Sequence, residues 1–264
     1  MDTVDAAGHR IAYDVAGKGP PVVLLHGYVG DRRMWRPQME GLADEFTVIA
    51  WDAPGYGGSS DPPEDFSLAQ FADCLAAFVD ALGLGRAHVV GLSFGGGLAL
   101  ELYRRHPELA MTLVLASAYA GWAGSLPVEV VEQRLQQALR LADLPADRLV
   151  TELMPTMFTG LAPAELVEEF AGFMREFHPV GLRANSRAFA AADLREVLPR
   201  VAVPTLLLYG DSDVRAPSSV GQDLHANIPG SKLVVIPGAG HVCNIDAPER
   251  FNAEVRAFLR SALS

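Results

Sequence analysis

Short runs of aliphatic and β-branched residues alternate along the chain with longer stretches whose apolar positions recur every three or four residues. Val22-Val23-Leu24-Leu25 is apolar throughout, as a strand covered on both faces of a parallel sheet must be. Thr47 to Ala50, His88 to Val90, Leu113 to Leu115, Thr205 to Tyr209 and Leu233 to Ile236 have the same character. Ile11 to Val15 predicts an earlier strand, closed by the Gly17-Lys18-Gly19-Pro20 turn. Between these runs, helical spacing covers Leu68 to Leu82, Gly96 to Arg105, Val220 to Ala226 and Pro248 to Leu263. Ser67 is placed to cap the first of these helices, and Gly83 stands just past its end. Such alternation implies right-handed crossovers and a mostly parallel sheet with helices on both faces, the α/β class.

One interval breaks the rhythm. From Ser117 to Thr205 no strand pattern occurs, and helical spacing fills 128 to 142, 146 to 153, 163 to 177 and 180 to 191. A structureless loop of that length is improbable inside a compact domain. The expected organisation is therefore a core of residues 1–119 and 186–264 with an inserted helical cap, or lid, at 120–185. No internal repeat or low-complexity stretch competes with this division.

Composition narrows the partners. Half the residues are hydrophobic and a fifth are charged, the profile of a globular protein with a substantial core. The formal net charge is -11, from 32 acidic and 21 basic residues, with no basic block. A surface of that sign repels phosphate backbones and argues against nucleic acid. The two cysteines, Cys74 and Cys243, match neither a zinc site nor a disulfide framework and are expected as free thiols. Met1-Asp2-Thr3-Val4-Asp5 has neither the basic nor the apolar region of a signal peptide. No apolar run approaches the roughly 20 residues that cross a bilayer. A cytoplasmic protein without membrane insertion is expected. Neither a metal-ligand cluster nor a dinucleotide fingerprint occurs, so no metal and no cofactor are expected. The expected partner is a small-molecule substrate, and no motif bears on oligomeric state.

Gly91-Leu92-Ser93-Phe94-Gly95 carries the chemistry. By composition alone a G-x-S-x-G pattern would arise in roughly one such chain in nine. Here a strand precedes it and a helix follows, the context of a nucleophile elbow. A serine hydroxyl needs a base, and of the seven histidines His241 is best placed. It follows Ile236-Pro237-Gly238-Ala239-Gly240, a strand running into a flexible turn that can reach the carboxyl edge of the sheet. The orienting acid should lie between them in the chain. Ala116 to Gly124 contains no acid, whereas Gly210-Asp211-Ser212-Asp213 follows the next strand. Asp213 can reach back from that loop, and Asp211 can cap the turn. Acyl transfer also requires donors for an oxyanion, expected from the backbone amides of Phe94 and of Tyr28, in the His26-Gly27-Tyr28-Val29-Gly30 loop. His26 is read as a turn residue.

His26-Gly27, Asp52-Ala53-Pro54-Gly55-Tyr56-Gly57-Gly58-Ser59, the elbow, Gly210 to Asp213 and Gly240-His241 occur in the order seen in the α/β-hydrolase superfamily, which the chain resembles over nearly its whole length. The stretch from Val203 to Leu259 looks most like 3-oxoadipate enol-lactonases and small carboxylesterases. The resemblance implies an eight-stranded, mostly parallel sheet with the cap inserted after the sixth strand, a Ser93-His241-Asp213 triad, and Asp213 rather than Asp211 as the acid. It implies a serine hydrolase acting on an ester or lactone of a small, largely apolar substrate through an acyl-enzyme. Ser93 departs from the nucleophilic aspartate of dehalogenases and epoxide hydrolases. Tyr28-Val29 departs from the more glycine-rich loop of meta-cleavage carbon–carbon hydrolases, which stand as the alternative. A small-molecule receptor, or a perhydrolase or lyase on the same fold, is the alternative of another class. Trp122, Met154, Met157 and Phe158 are expected to line an apolar pocket, with cap-to-core packing as the competing reading. Arg175, Arg183 and Arg187 could clamp a substrate carboxylate, or simply form a solvated helix face.

Overall fold

In the computed structural model, which describes residues 1–263, the chain begins with β1 (Asp2–Ala6), β2 (His9–Ala16) and β3 (Pro21–Leu25). It continues through α1 (Arg36–Leu42), β4 (Thr47–Trp51), α2 (Leu68–Ala81), β5 (Ala87–Leu92), α3 (Phe94–Arg105) and β6 (Ala110–Ala116). Four helices follow without a strand: α4 (Val128–Ala142), α5 (Ala146–Met157), α6 (Ala164–Met174) and α7 (Pro179–Ala191). The chain closes with β7 (Thr205–Gly210), α8 (Ser218–Asn227), β8 (Lys232–Ile236), α9 (Cys243–Asp246) and α10 (Pro248–Leu263).

The strands form one sheet in the order β1-β2-β4-β3-β5-β6-β7-β8. β1 pairs antiparallel with β2, and β2 antiparallel with β4; the other pairings are parallel. Every residue of β5 and β7 is buried, which explains why their sequences do not alternate. Each large aliphatic or aromatic side chain so buried stabilises the fold by roughly 1.5–3 kcal/mol relative to exposure. α2 begins with a capping box in which the Ser67 hydroxyl accepts the Gln70 amide and the Gln70 side chain accepts the Ser67 amide. Cys74 and Cys243 are both buried free thiols, and burial pushes each up to about 12.

Several elements differ from the sequence reading. β1 was not foreseen because Asp2 and Asp5 interrupt any apolar pattern; it is an edge strand, mostly exposed, turned back on β2 through Ala7 and Gly8 at positive φ. α1 is short and has proline in its first turn, so it lacks a readable period. α5 runs on to Met157 through Pro155, which sits in the last turn and removes only one backbone bond there. α7 continues across residue 186, so a division at 185/186 falls within a helix. Its Phe189 ring stacks edge-on against Phe94 at 5.5 Å. Among the described residues no helix is long and apolar enough to cross a membrane.

Candidate active site

β5 ends at Leu92 and α3 begins at Phe94, so Ser93 alone makes the turn, with φ 54° and ψ -112°. A positive φ is strained for a residue with a β-carbon, and the surroundings must enforce it. Here the Ser93 amide donates to Ala116 O at 2.8 Å, and its carbonyl accepts the Gly96 and Gly97 amides at 2.9 and 3.2 Å. Two glycines permit the approach. A β-carbon on Gly91 would stand 2.2 Å from Gly95 O, and one on Gly95 would stand 2.2 Å from Leu25 O. The serine is thereby held at the carboxyl edge of the sheet.

His241 reaches the same edge from the turn after β8. Its Nε2 lies 3.0 Å from Ser93 Oγ, and its Nδ1 lies 2.9 Å from Asp213 Oδ2 and 3.1 Å from Oδ1. All three residues are buried. The His241 and Val242 amides donate to Met157 O at 3.1 and 3.3 Å, and the Gly240 amide donates to Asp246 Oδ2 at 2.7 Å. Asp213 Oδ1 accepts the Arg215 and Ala216 amides at 2.8 and 2.9 Å. Burial pushes the Asp213 carboxyl up, but the adjoining His241 and these two amides outweigh it and hold the group below the usual carboxylate value. An ionised Asp213 takes the Nδ1 proton of His241 as a hydrogen bond, which leaves the Nε2 lone pair facing the serine hydroxyl. Asp211 is exposed and accepts the Gly238 amide at 2.7 Å, so it shapes the turn instead.

The loop after β3 lies against the serine. A β-carbon on Gly27 would be 3.6 Å from Ser93 Cβ, ordinary van der Waals contact. The Phe94 amide is in the first turn of α3, where N–H groups lack an intrahelical acceptor and the helix dipole is positive. The Tyr28 hydroxyl donates to Ala138 O at 3.2 Å, joining this loop to α4. His26 is buried; its Nδ1–H donates to Gly27 O at 2.8 Å and its Nε2 accepts the Ala53 amide at 3.0 Å. Burial lowers its pKa and keeps the ring neutral, so His26 braces the loop.

Ser93 and His241 open onto a chamber of about 20 Å³ whose walls include Trp122, Arg134, Asn185 and Arg215. Beside it lies a pocket of about 210 Å³ that shares Tyr28, Trp122, Arg134 and Arg215 with the chamber. On the other side of Ser93, Met34, Leu92, Met157 and Phe170 enclose a void of about 10 Å³. Trp122 and Met157 thus adjoin Ser93 and His241. Phe158 packs edge-on against Phe170 at 5.2 Å and Met154 packs on the apolar core, and neither lines these pockets. The structure does not bring Arg175, Arg183 or Arg187 to the chamber: they pair with Asp147, with Glu64 and Asp143, and with Glu64, respectively. Sequence reasoning did not single out Arg134, Asn185 or Arg215. Only Arg215 carried a signal, standing two residues past Asp213.

The family model for the alpha/beta hydrolase fold matches residues 20–248. The putative carbamate hydrolase RutD of Caulobacter sp. (strain K31) is 30% identical, the match covering 97% of each chain. A thermophilic esterase from Thermogutta terrifontis superposes with a TM-score of 0.92 and 30% identity over 100% of both chains. The enol-lactonase from Burkholderia xenovorans LB400 superposes with a TM-score of 0.89 and 26% identity, covering 98% of this chain and 100% of its own.

Proposed function

The chain belongs to the alpha/beta hydrolase fold family, and from that premise we propose that it is a serine hydrolase cleaving a carboxylic ester or lactone of a small, largely apolar substrate. The observation that carries this reading is the unbroken series from Ser93 Oγ to His241 Nε2 at 3.0 Å and from His241 Nδ1 to Asp213 at 2.9 Å. The esterase and lactonase neighbours support the choice of bond.

In this reading Ser93 Oγ attacks the carbonyl carbon while its proton passes to His241 Nε2. Asp213 stabilises the imidazolium that results. The oxyanion accepts hydrogen bonds from the Phe94 and Tyr28 amides, which are fixed before reaction and need no reorganisation. Collapse expels the alcohol, which takes the proton from His241, and leaves an acyl ester on Ser93. Water then repeats the sequence, with His241 as its base, and releases the acid. Residues 120–185 act as a cap whose Trp122 and Arg134 wall the approach to Ser93.

Hydrolysis of p-nitrophenyl esters graded in acyl length, by wild type and Ser93→Ala side by side, tests the reading. Turnover should fall at least about a thousandfold in the variant, with the circular dichroism spectrum unchanged. Wild-type rates from folded Ser93→Ala would refute it.

A further inference from the structure

The chamber at Ser93 and the pocket beside it contain two guanidinium groups, those of Arg134 and Arg215, and no Asp or Glu in their walls. In a chain with 32 acidic residues against 21 basic, this is a local reversal of charge. Every other arginine of the inserted helices is ion-paired among the described residues: Arg140 and Arg148 with Glu152, Arg175 with Asp147, Arg183 with Glu64 and Asp143, and Arg187 with Glu64. Arg134 and Arg215 form no ion pair there. Their partners are neutral. Arg134 donates to Tyr119 Oη at 3.3 Å and to Arg215 O at 3.2 Å, and stands over the Tyr119 ring at 5.4 Å. Arg215 Nη1 donates to Thr156 Oγ1 at 3.1 Å.

Two cations close together without a counter-ion are unfavourable, and more so where water is displaced. Desolvation lowers the Arg215 pKa; Tyr28 opposes it, Arg134 adds to the lowering, and Asp213 and Tyr119 oppose it in turn. Asp213 is nevertheless committed to His241 and to two backbone amides, so it does not neutralise the pair. A third donor points the same way. Asn185 is 1% exposed, belongs to the chamber wall, and its Nδ2 has no protein partner. A buried amide donor without an acceptor is costly unless a ligand supplies one.

We infer that Arg134, Arg215 and Asn185 form a subsite for a carboxylate on the substrate, so that the physiological ester or lactone is an acid-bearing molecule. The inference rests on the serine-hydrolase reading for the bond that is cleaved. The planar guanidinium fork suits a carboxylate, and three donors converging from α4, the loop after β7 and α7 fix its position relative to Ser93. The carboxylate orients the substrate; it takes no part in bond making.

Two matched pairs of esters test this: monoethyl succinate against ethyl 4-oxopentanoate, and 4-acetoxybutanoate against its methyl ester. The first pair places the charge on the acyl side, the second on the alcohol side. Wild type should prefer the anionic member of at least one pair by roughly tenfold or more in kcat/KM. That ratio should fall towards unity in Arg134→Gln and Arg215→Gln, recover partly in Arg134→Lys, and invert in Arg134→Glu. It should also shrink with added salt. Equal or better Ser93-dependent turnover of the neutral members would overturn the subsite while leaving the hydrolase reading intact. If none of the four esters turns over, calorimetry of monoethyl succinate with Ser93→Ala decides the matter. Binding that is lost in the Arg134→Gln background sustains the subsite, and absence of binding overturns it.

Discussion

Ser93 and Arg134 face the same small chamber but are held there by different means. The serine is fixed by backbone: a positive φ, three main-chain hydrogen bonds and two glycines where any β-carbon would collide. Arg134 is fixed by the register of an amphipathic helix, a contact with the Tyr119 ring and bonds to two neutral oxygens. The edge of the sheet therefore leaves little room for change, whereas Arg134 is held only through contacts of its own side chain. In the proposed mechanism, chemistry and selectivity are thus built on parts that tolerate mutation to different degrees.

The largest effect separating the two walls should come from the sheet side. Asp213→Asn keeps the size of the side chain but donates where the carboxylate accepted, so His241 loses its required tautomer. Ester turnover should fall by about a thousandfold to ten-thousandfold, far more than any change at Arg134. A loss below tenfold would mean that Asp213 does not orient the base.

Acid should loosen the sheet before the inserted helices. His88 in β5 is fully buried against Thr112, and burial lowers its pKa to about 4. The folded value lies below the ordinary 6.5, so the unfolded chain takes up the proton first as pH falls. The stability is present above pH 6.5 and is lost as pH falls towards about 4, a change of about 3 kcal/mol. His26 contributes in the same direction. Thermal melts of wild type and His88→Leu across this range should show a flatter profile for the variant. Parallel profiles would place the acid sensitivity elsewhere.

The smallest effect tests the seam between the walls. Tyr28→Phe removes the hydroxyl that donates to Ala138 O but keeps the backbone amide beside Ser93. Denaturant melts should show a loss of about 1 kcal/mol, and ester turnover should change by less than tenfold. A much larger kinetic loss would mean that the seam also sets the position of the oxyanion donors.

The same division governs what could be read from the sequence. The elbow was legible because a strained serine needs glycines at fixed offsets, and such requirements leave letters in place. An acid in the loop after β7 and His241 after β8 were legible because each follows a strand at the carboxyl edge, and the resemblance to α/β hydrolases favoured Asp213 over Asp211. Arg134 was not, since it shares α4 with Arg140, and nothing local distinguishes an arginine facing a chamber from one paired with Glu152 on the surface. Asn185 is silent for the same reason: the lack of a partner for its Nδ2 is a property of three dimensions. β1 escaped because only Val4 and Ala6 of its five residues turn towards the core, too few to make a readable alternation.

The carbonyl of Met157, at the end of α5, accepts the amides of both His241 and Val242. A helix's last carbonyls otherwise go without a partner inside it, so this joint satisfies α5 and the base-bearing loop at once. His241 therefore rides on a splice between the sheet and the inserted helices, and its backbone is tied directly to the end of α5. Whatever motion admits a substrate has to leave that splice alone. A motion that admitted a substrate by displacing α5 would displace His241 with it, so α5 serves as part of the anvil.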